Sequence, residues 1–206
     1  MQRIKNHKHA GDTMGEGMFA IAIFCMVMIL SINLMNNSLN AAQSTLESSM
    51  ARNAIDAQAE GLRFIHDSYI LDKEKYGDAW KTIVEKSLDK LGEFPVTDCG
   101  QADKTKAFVL NLNNFDLQNG NTVVDVDNND SGTPTYPQID YSDNTARALG
   151  IWVNVVPDLD LDAKEKPTPN FYDFHIRTCW NAPGKNVASS LDTVIRLYNP
   201  DRGEEK

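Results

Sequence analysis

The sequence predicts an α+β protein in which a long N-terminal helical spine carries an antiparallel β-sheet on its second half. Three observations predict it. From Gly17 to Leu46 there are 30 consecutive residues without a charge, opening on the apolar run Met18–Leu30. No proline occurs before Pro95 and no glycine between Gly17 and Gly61, so the helical pattern meets no breaker over the spine. From residue 99 onward the pattern changes to short alternating segments separated by turn residues.

Charge separates the two ends of the chain. The 206 residues carry 20 basic and 29 acidic side chains, a net charge of −9. An acidic chain of this kind argues against a general nucleic-acid binder, which needs clustered Lys and Arg to neutralise phosphates. Residues 1–11 hold Arg3, Lys5 and Lys8 and no acid, and the remainder has a net charge of −12. Extended through Asn33 to Met35, the apolar run reaches 18 residues, close to the roughly 20 that span a bilayer as helix. Basic residues before it and an acidic body after it place the N-terminus in the cytoplasm and the body outside.

Three treatments of this segment are open. A secretory signal peptide would have a shorter apolar core, about 7–15 residues, and then a small-residue cleavage site. The stretch after the run, NNSLNAAQS, offers no good site of that kind. A plain signal anchor accounts for hydropathy and orientation alone. The third treatment rests on Gly11-Asp12-Thr13-Met14-Gly15-Glu16, which lies between the basic leader and the apolar helix. A carboxylate at the edge of hydrocarbon costs about 2–3 kcal/mol to insert, so Glu16 marks a partner unless it stays in water.

Leader, glycine, glutamate and apolar run in this order resemble the processing signal of type IV pilins and type II secretion pseudopilins. The resemblance implies cleavage after Gly11 by a prepilin peptidase, methylation of the new amine on Asp12, and a role for Glu16 in assembly with a neighbouring subunit's N-terminus. It covers roughly the first 70 residues. It further implies a single-pass inner-membrane protein with an extracytoplasmic body, destined for a cell-surface filament, with other pilin subunits, the peptidase/methylase and the membrane as partners. The expected organisation is a leader at 1–11, a spine at 12–70 spanning the membrane at about 17–36, a second helix and connection at 71–98, and a β-rich domain at 99–206.

Past the span the spine turns amphipathic. Leu46, Met50, Ala54, Ala57, Gly61 and Ile65 fall at spacings of three or four, widened by Leu62 and Tyr69, with Glu47, Arg52, Asp56 and Arg63 off the stripe. A helix from Thr13 to Tyr69 would be about 85 Å long at 1.5 Å per residue. The polar stretch LDKEKYG then breaks it, and DAWKTIVEKSLDKL reads as a second helix stopped by Gly92. Four segments read as strands: Lys106–Leu112, Leu149–Val156, Phe171–Cys179 and Leu191–Tyr198, with Asn121–Val126 a weaker fifth. Between Asn113 and Asp130, 10 of 18 residues are Asn or Asp, which reads as a long polar loop.

Cys25 lies in the apolar run and reads as a buried small hydrophobe. Cys99 and Cys179 lie in the body, where oxidation is permitted, and are expected to pair; two free buried thiols are the alternative. No cofactor is implied, except that oxygen-rich loops suit calcium. Of two such stretches, Asp158, Asp160 and Asp162 in an extended chain is the better candidate, although it lacks the EF-hand glycine and glutamate. Catalysis has no support: His66 beside Asp67 and His175 in a strand are accompanied by no nucleophile motif, phosphate loop or zinc spacing. In the strand 171–179, Tyr172, Phe174, Ile176 and Thr178 form a core face, while Phe171, Asp173, His175 and Arg177 form a mixed face suited to exposure or to a neighbouring subunit. The expectation is therefore a non-enzymatic pilin-like subunit. The alternatives are a membrane-anchored binding or adhesion domain that does not polymerise, and an anchored enzyme.

Overall fold

The computed structural model describes residues 12–117, 122–126, 134–141, 146–158 and 168–203. The chain forms two compact units, Met1–Thr45 and Leu46–Lys206. Helix α1 (Asp12–Leu71) contributes to both, and it is long and apolar enough to cross a membrane.

In the second unit, α1 is followed, among the described residues, by α2 (Lys73–Glu85) and by seven strands. These are β1 (Phe108–Leu110), β2 (Val123–Asp125), β3 (Gln138–Asp140), β4 (Arg147–Leu149), β5 (Ile151–Pro157), β6 (Phe171–Trp180) and β7 (Ser189–Tyr198). Five of them make an antiparallel sheet in the order β2-β1-β5-β6-β7, and β3 and β4 form a separate ribbon. The architecture is α+β, with the sheet packed against the later part of the N-terminal helix. All four strands read from the alternation are present, and the fifth candidate is β2.

Pairing sets which side chains face α1. Val153 lies opposite Ile176 and Phe174 opposite Ile195, so the apolar parity of β5, β6 and β7 coincides on one face. Ile55, Ala59, Leu62, Ile65 and Tyr69 of α1 pack there with Trp80 and Ile83 of α2 and with Phe108, Val153, Phe174 and Ile176. Gly61 permits the close approach, because a Cβ there would stand 2.8 Å from side-chain carbons of Leu110 and Leu112.

The buried face of α1 differs from the expected stripe. Leu46 and Met50 are exposed, while Glu47, Ala51, Ile55 and Gln58 are buried. The helix is rotated by about one position because two polar side chains find partners inside. Trp180 Nε1 donates to Glu47 Oε2 at 3.2 Å. Gln58, with no exposed surface, donates through Nε2 to the Leu110 carbonyl at 3.1 Å and accepts from the Leu110 N–H at 2.7 Å. Its carboxamide thereby supplies both backbone bonds of Leu110, a residue whose only ladder partner is Val123 of β2.

The second helix also differs. It begins at Lys73, because Asp72 caps it by accepting from the Lys75 N–H at 3.0 Å, and it runs through the stretch expected to be a break. It ends at Glu85 rather than at Gly92. The Lys86 N–H donates to the Ile83 carbonyl and the Ser87 N–H to the Val84 carbonyl, each at 3.1 Å, and the Leu88 N–H bonds to Val155 O at 2.8 Å, drawing the chain onto the sheet.

On the other face of the sheet, the connection before β1 covers Trp152 and Arg177. Phe94 meets Trp152 edge-on at 5.9 Å between ring centroids, and the Arg177 guanidinium sits 4.9 Å from the Phe94 centroid. The bond between Cys99 and Cys179 ties this connection to β6 across a separation of 80 residues. On the chain-entropy account, closing such a loop stabilises the fold by about 4 kcal/mol.

Replacing Gln58 by Leu keeps the volume and strands the Leu110 N–H and C=O. Unfolding of the detergent-solubilised chain in urea should show a loss of about 2–5 kcal/mol, one unmade buried bond for each group. A loss below 1 kcal/mol would mean that Gln58 does not carry the edge of β1.

Candidate functional site

The segment expected to carry the processing and assembly signals is the first part of α1. Asp12 is its first residue, Glu16 lies in the next turn and is exposed, and Gly11 with the rest of the leader lies outside the described residues. Gly15 and Gly17 flank Glu16, and no heavy atom comes within 4 Å of where a Cβ would stand at either. The backbone around the carboxylate is therefore open to close approach by another chain.

Beyond Glu16 the helix exposes apolar side chains on every side. Met18, Phe19, Ile21, Phe24, Val27, Ile29, Leu34 and Met35 are all more than half exposed. This unit buries none of them, which is tolerable in hydrocarbon or in a bundle of helices but not in water. Two hydroxyls on it are satisfied locally. Ser31 Oγ donates to the Val27 carbonyl at 2.8 Å and Thr45 Oγ1 to the Ala41 carbonyl at 2.9 Å. Cys25 is a free, exposed thiol on the same helix rather than a buried one.

The remaining candidates lie in the second unit. Cys99 and Cys179 are brought together as a disulfide with Cα atoms 5.5 Å apart, and Cys179 is fully buried. Asp158, just after β5, accepts from Asn170 Nδ2 at 2.8 Å and lines a cleft of about 330 Å³ with Asp89, Phe171, Asp173 and Arg196. Arg196 already forks onto Asp173, with both bonds at 2.8 Å, and stacks 3.6 Å above the Phe171 ring. Asp160 and Asp162 lie outside the described residues. Among the described residues no group of three or more His, Cys, Asp or Glu could hold a metal ion.

The two histidines of the body have structural surroundings. His66 donates from Nε2 to the Tyr198 carbonyl at 2.9 Å, lies 3.3 Å from Asp67 Oδ1, and meets Trp80 edge-on. His175 shares a face of β6 with Asp173 and Arg177, opposite Asn154 and Val194. Burial pushes its imidazole below the ordinary value of 6.5, Arg177 adds to that, and Asp173 and Asp192 oppose it. Arg177 is itself only 6% exposed and its guanidinium is held below its usual range by burial, against the pull of Asp192 and Asp103. The mixed face of β6 is thus half-buried at Phe171, Asp173 and His175 and buried at Arg177.

Sequence reading passed over Glu47, Gln58 and Arg177. The signal for Glu47 was present: it sits four and eight residues before Ala51 and Ile55, so it continues the buried face rather than leaving it.

A long apolar N-terminal helix, an antiparallel sheet packed on its later part and a disulfide in the sheet domain together define a pilin-like architecture. The chain matches no family model, no curated protein and no solved structure among known proteins.

The depressed His175 has a consequence for stability. The folded chain holds the imidazole neutral, so below about pH 6.5 the unfolded chain takes up a proton first, and stability falls as pH drops toward the folded value. Urea unfolding at pH 7.5 and 5.5 should show a smaller loss on acidification for His175→Asn than for the unaltered chain. An equal loss would remove His175 from the pH response.

Proposed function

We propose that this chain is a pilin-like structural subunit that inserts as a single-pass membrane protein, is cut after Gly11, and assembles into a type IV pilus or type II secretion pseudopilus. One observation carries the reading. A single helix is apolar and exposed on all sides from Met18 to Met35, and one-sided where it supports the sheet. A helix of that kind needs hydrocarbon before assembly and other helices after it.

The function on this reading is mechanical rather than catalytic. Other pilin subunits, the prepilin peptidase/methylase and the membrane are the partners, and nucleic acid is not among them. The disulfide suits an extracytoplasmic body. Glu16, at the mouth of the apolar segment, gains a counter-charge only when a neighbour's N-terminal ammonium reaches it, which favours assembled over isolated chains.

Mass spectrometry of the chain from native membranes should find Asp12 as the first residue, with or without a methyl group on its amine. A chain beginning at Met1 or Gln2 would instead favour an anchored binding or adhesion domain that does not polymerise. Glu16→Ala should leave cleavage intact and abolish most filament assembly, as judged by sheared filaments. Undiminished filaments would remove Glu16 from the mechanism.

A further inference from the structure

Asn33 is the only carboxamide within the apolar run Met18–Met35. The other polar side chain of that run, Ser31, satisfies its hydroxyl on the helix's own backbone. Asn33 has no such bond and is exposed, between Ile32 and Leu34, which are also exposed. A carboxamide in apolar surroundings leaves two donors and an acceptor unmade, and those are costly there. Two further carboxamides continue its face. At 100° per residue, positions 33, 37 and 40 fall within about 60° of one another, and Asn37 and Asn40 are exposed as well.

We propose that Asn33, with Asn37 and Asn40 after it, forms a seam of interhelical carboxamide bonds to α1 of a second copy of this chain. The occupant follows from the chemistry. A carboxamide is self-complementary, donating and accepting at once, and lipid tails offer it nothing. A charged partner would leave one sign unpaired in a stretch that is uncharged from Gly17 to Leu46. The spacing of four and then three residues lets two parallel helices keep amide opposite amide in register, or when staggered by seven residues, about 10.5 Å. The seam sets rotation and register between helices whose apolar surfaces would accept many arrangements. The inference rests on reading α1 as an assembly helix.

The test uses the full chain in membranes, with Cys25→Ser throughout. Asn33→Cys with Asn40→Cys should give oxidative cross-links between chains. The two positions are about 10.5 Å apart along one helix, beyond the roughly 7 Å that a disulfide bridges, so they cannot close on each other. Met35→Cys with Ala42→Cys repeats the spacing on the opposite face and should give few. Energy transfer between C-terminally labelled full-length chains in vesicles should report association about 3- to 30-fold weaker for Asn33→Leu, and near normal for Asn33→Gln. Equal cross-linking from both faces, or association unchanged in Asn33→Leu while Glu16→Gln weakens it, would overturn the seam and leave the assembly reading standing. No transfer between unaltered chains would overturn both.

Discussion

The backbone hydrogen-bond ladder of α1 runs from Asp12 to Leu71, and the rest of the second unit is built against its last seven or so turns. Because the helix satisfies its own N–H and C=O groups, one backbone can serve in hydrocarbon and in a water-facing domain without alteration. What changes along it is the distribution of side chains. From Met18 to Met35 the apolar groups surround the axis. After residue 46 they occupy one face, and Ile55, Ala59, Leu62, Ile65 and Tyr69 enter a core shared with α2 and the sheet. Without this second part the sheet would have no partner for its apolar face, since α2 alone is too short to cover it.

Burial of the apolar stripe sets the rotation of such a helix only broadly, since hydrophobic attraction has no direction. Four polar ties narrow it. Glu47 reaches Trp180 at the end of β6, Gln58 reaches the backbone of β1, His66 reaches the last carbonyl of β7, and the Tyr69 hydroxyl donates to Asp201 at 2.8 Å. They lie at four levels of one helix and lead to four places in the sheet domain. Turning α1 by a single residue position would break all four together and leave Trp180 Nε1 and the Leu110 N–H and C=O without these partners, at a cost of about 1–3 kcal/mol for each orphaned group. The exposed Leu46 and Met50 are the consequence, because burying their apolar surface would not offset those losses.

That trade explains which features were legible in the sequence. The length of α1 followed from the missing breakers, and β1, β5, β6 and β7 from alternation, since both signals are local. The disulfide followed from topology, because only two cysteines fall outside the apolar run. The rotation of α1 was not legible, because a periodicity of apolar residues gives no weight to a buried carboxylate or carboxamide whose partner is more than 50 residues away. The same holds for Arg177, which reads as a surface cation until Phe94 and the disulfide-tethered connection are folded over it. The start of α2 was missed for a smaller reason: Asp72 was read as part of a polar break when it is the cap. In the candidate site, Asp12 and Glu16 lie on α1 as expected, whereas the carboxylate at Asp158 is already engaged by Asn170.

The first part of α1 poses the converse problem. Its apolar side chains are equally content against lipid tails and against other helices, so apolarity concentrates such helices in a membrane without selecting how they meet. Selection then falls to the few groups that lipid cannot satisfy. Ser31 and Thr45 withdraw from that role by bonding to their own helix. Glu16 at one end and the carboxamides of Asn33, Asn37 and Asn40 remain, one a carboxylate and the others dipoles that both donate and accept. A charge acts over several ångströms and tolerates loose geometry, whereas a carboxamide bond requires a given depth and rotation. On the proposed assembly reading the two kinds of group act at different stages, the glutamate in bringing subunits together and the amides in fixing how their helices lie. In the second unit, too, polar side chains on α1 decide among arrangements that its apolar residues permit.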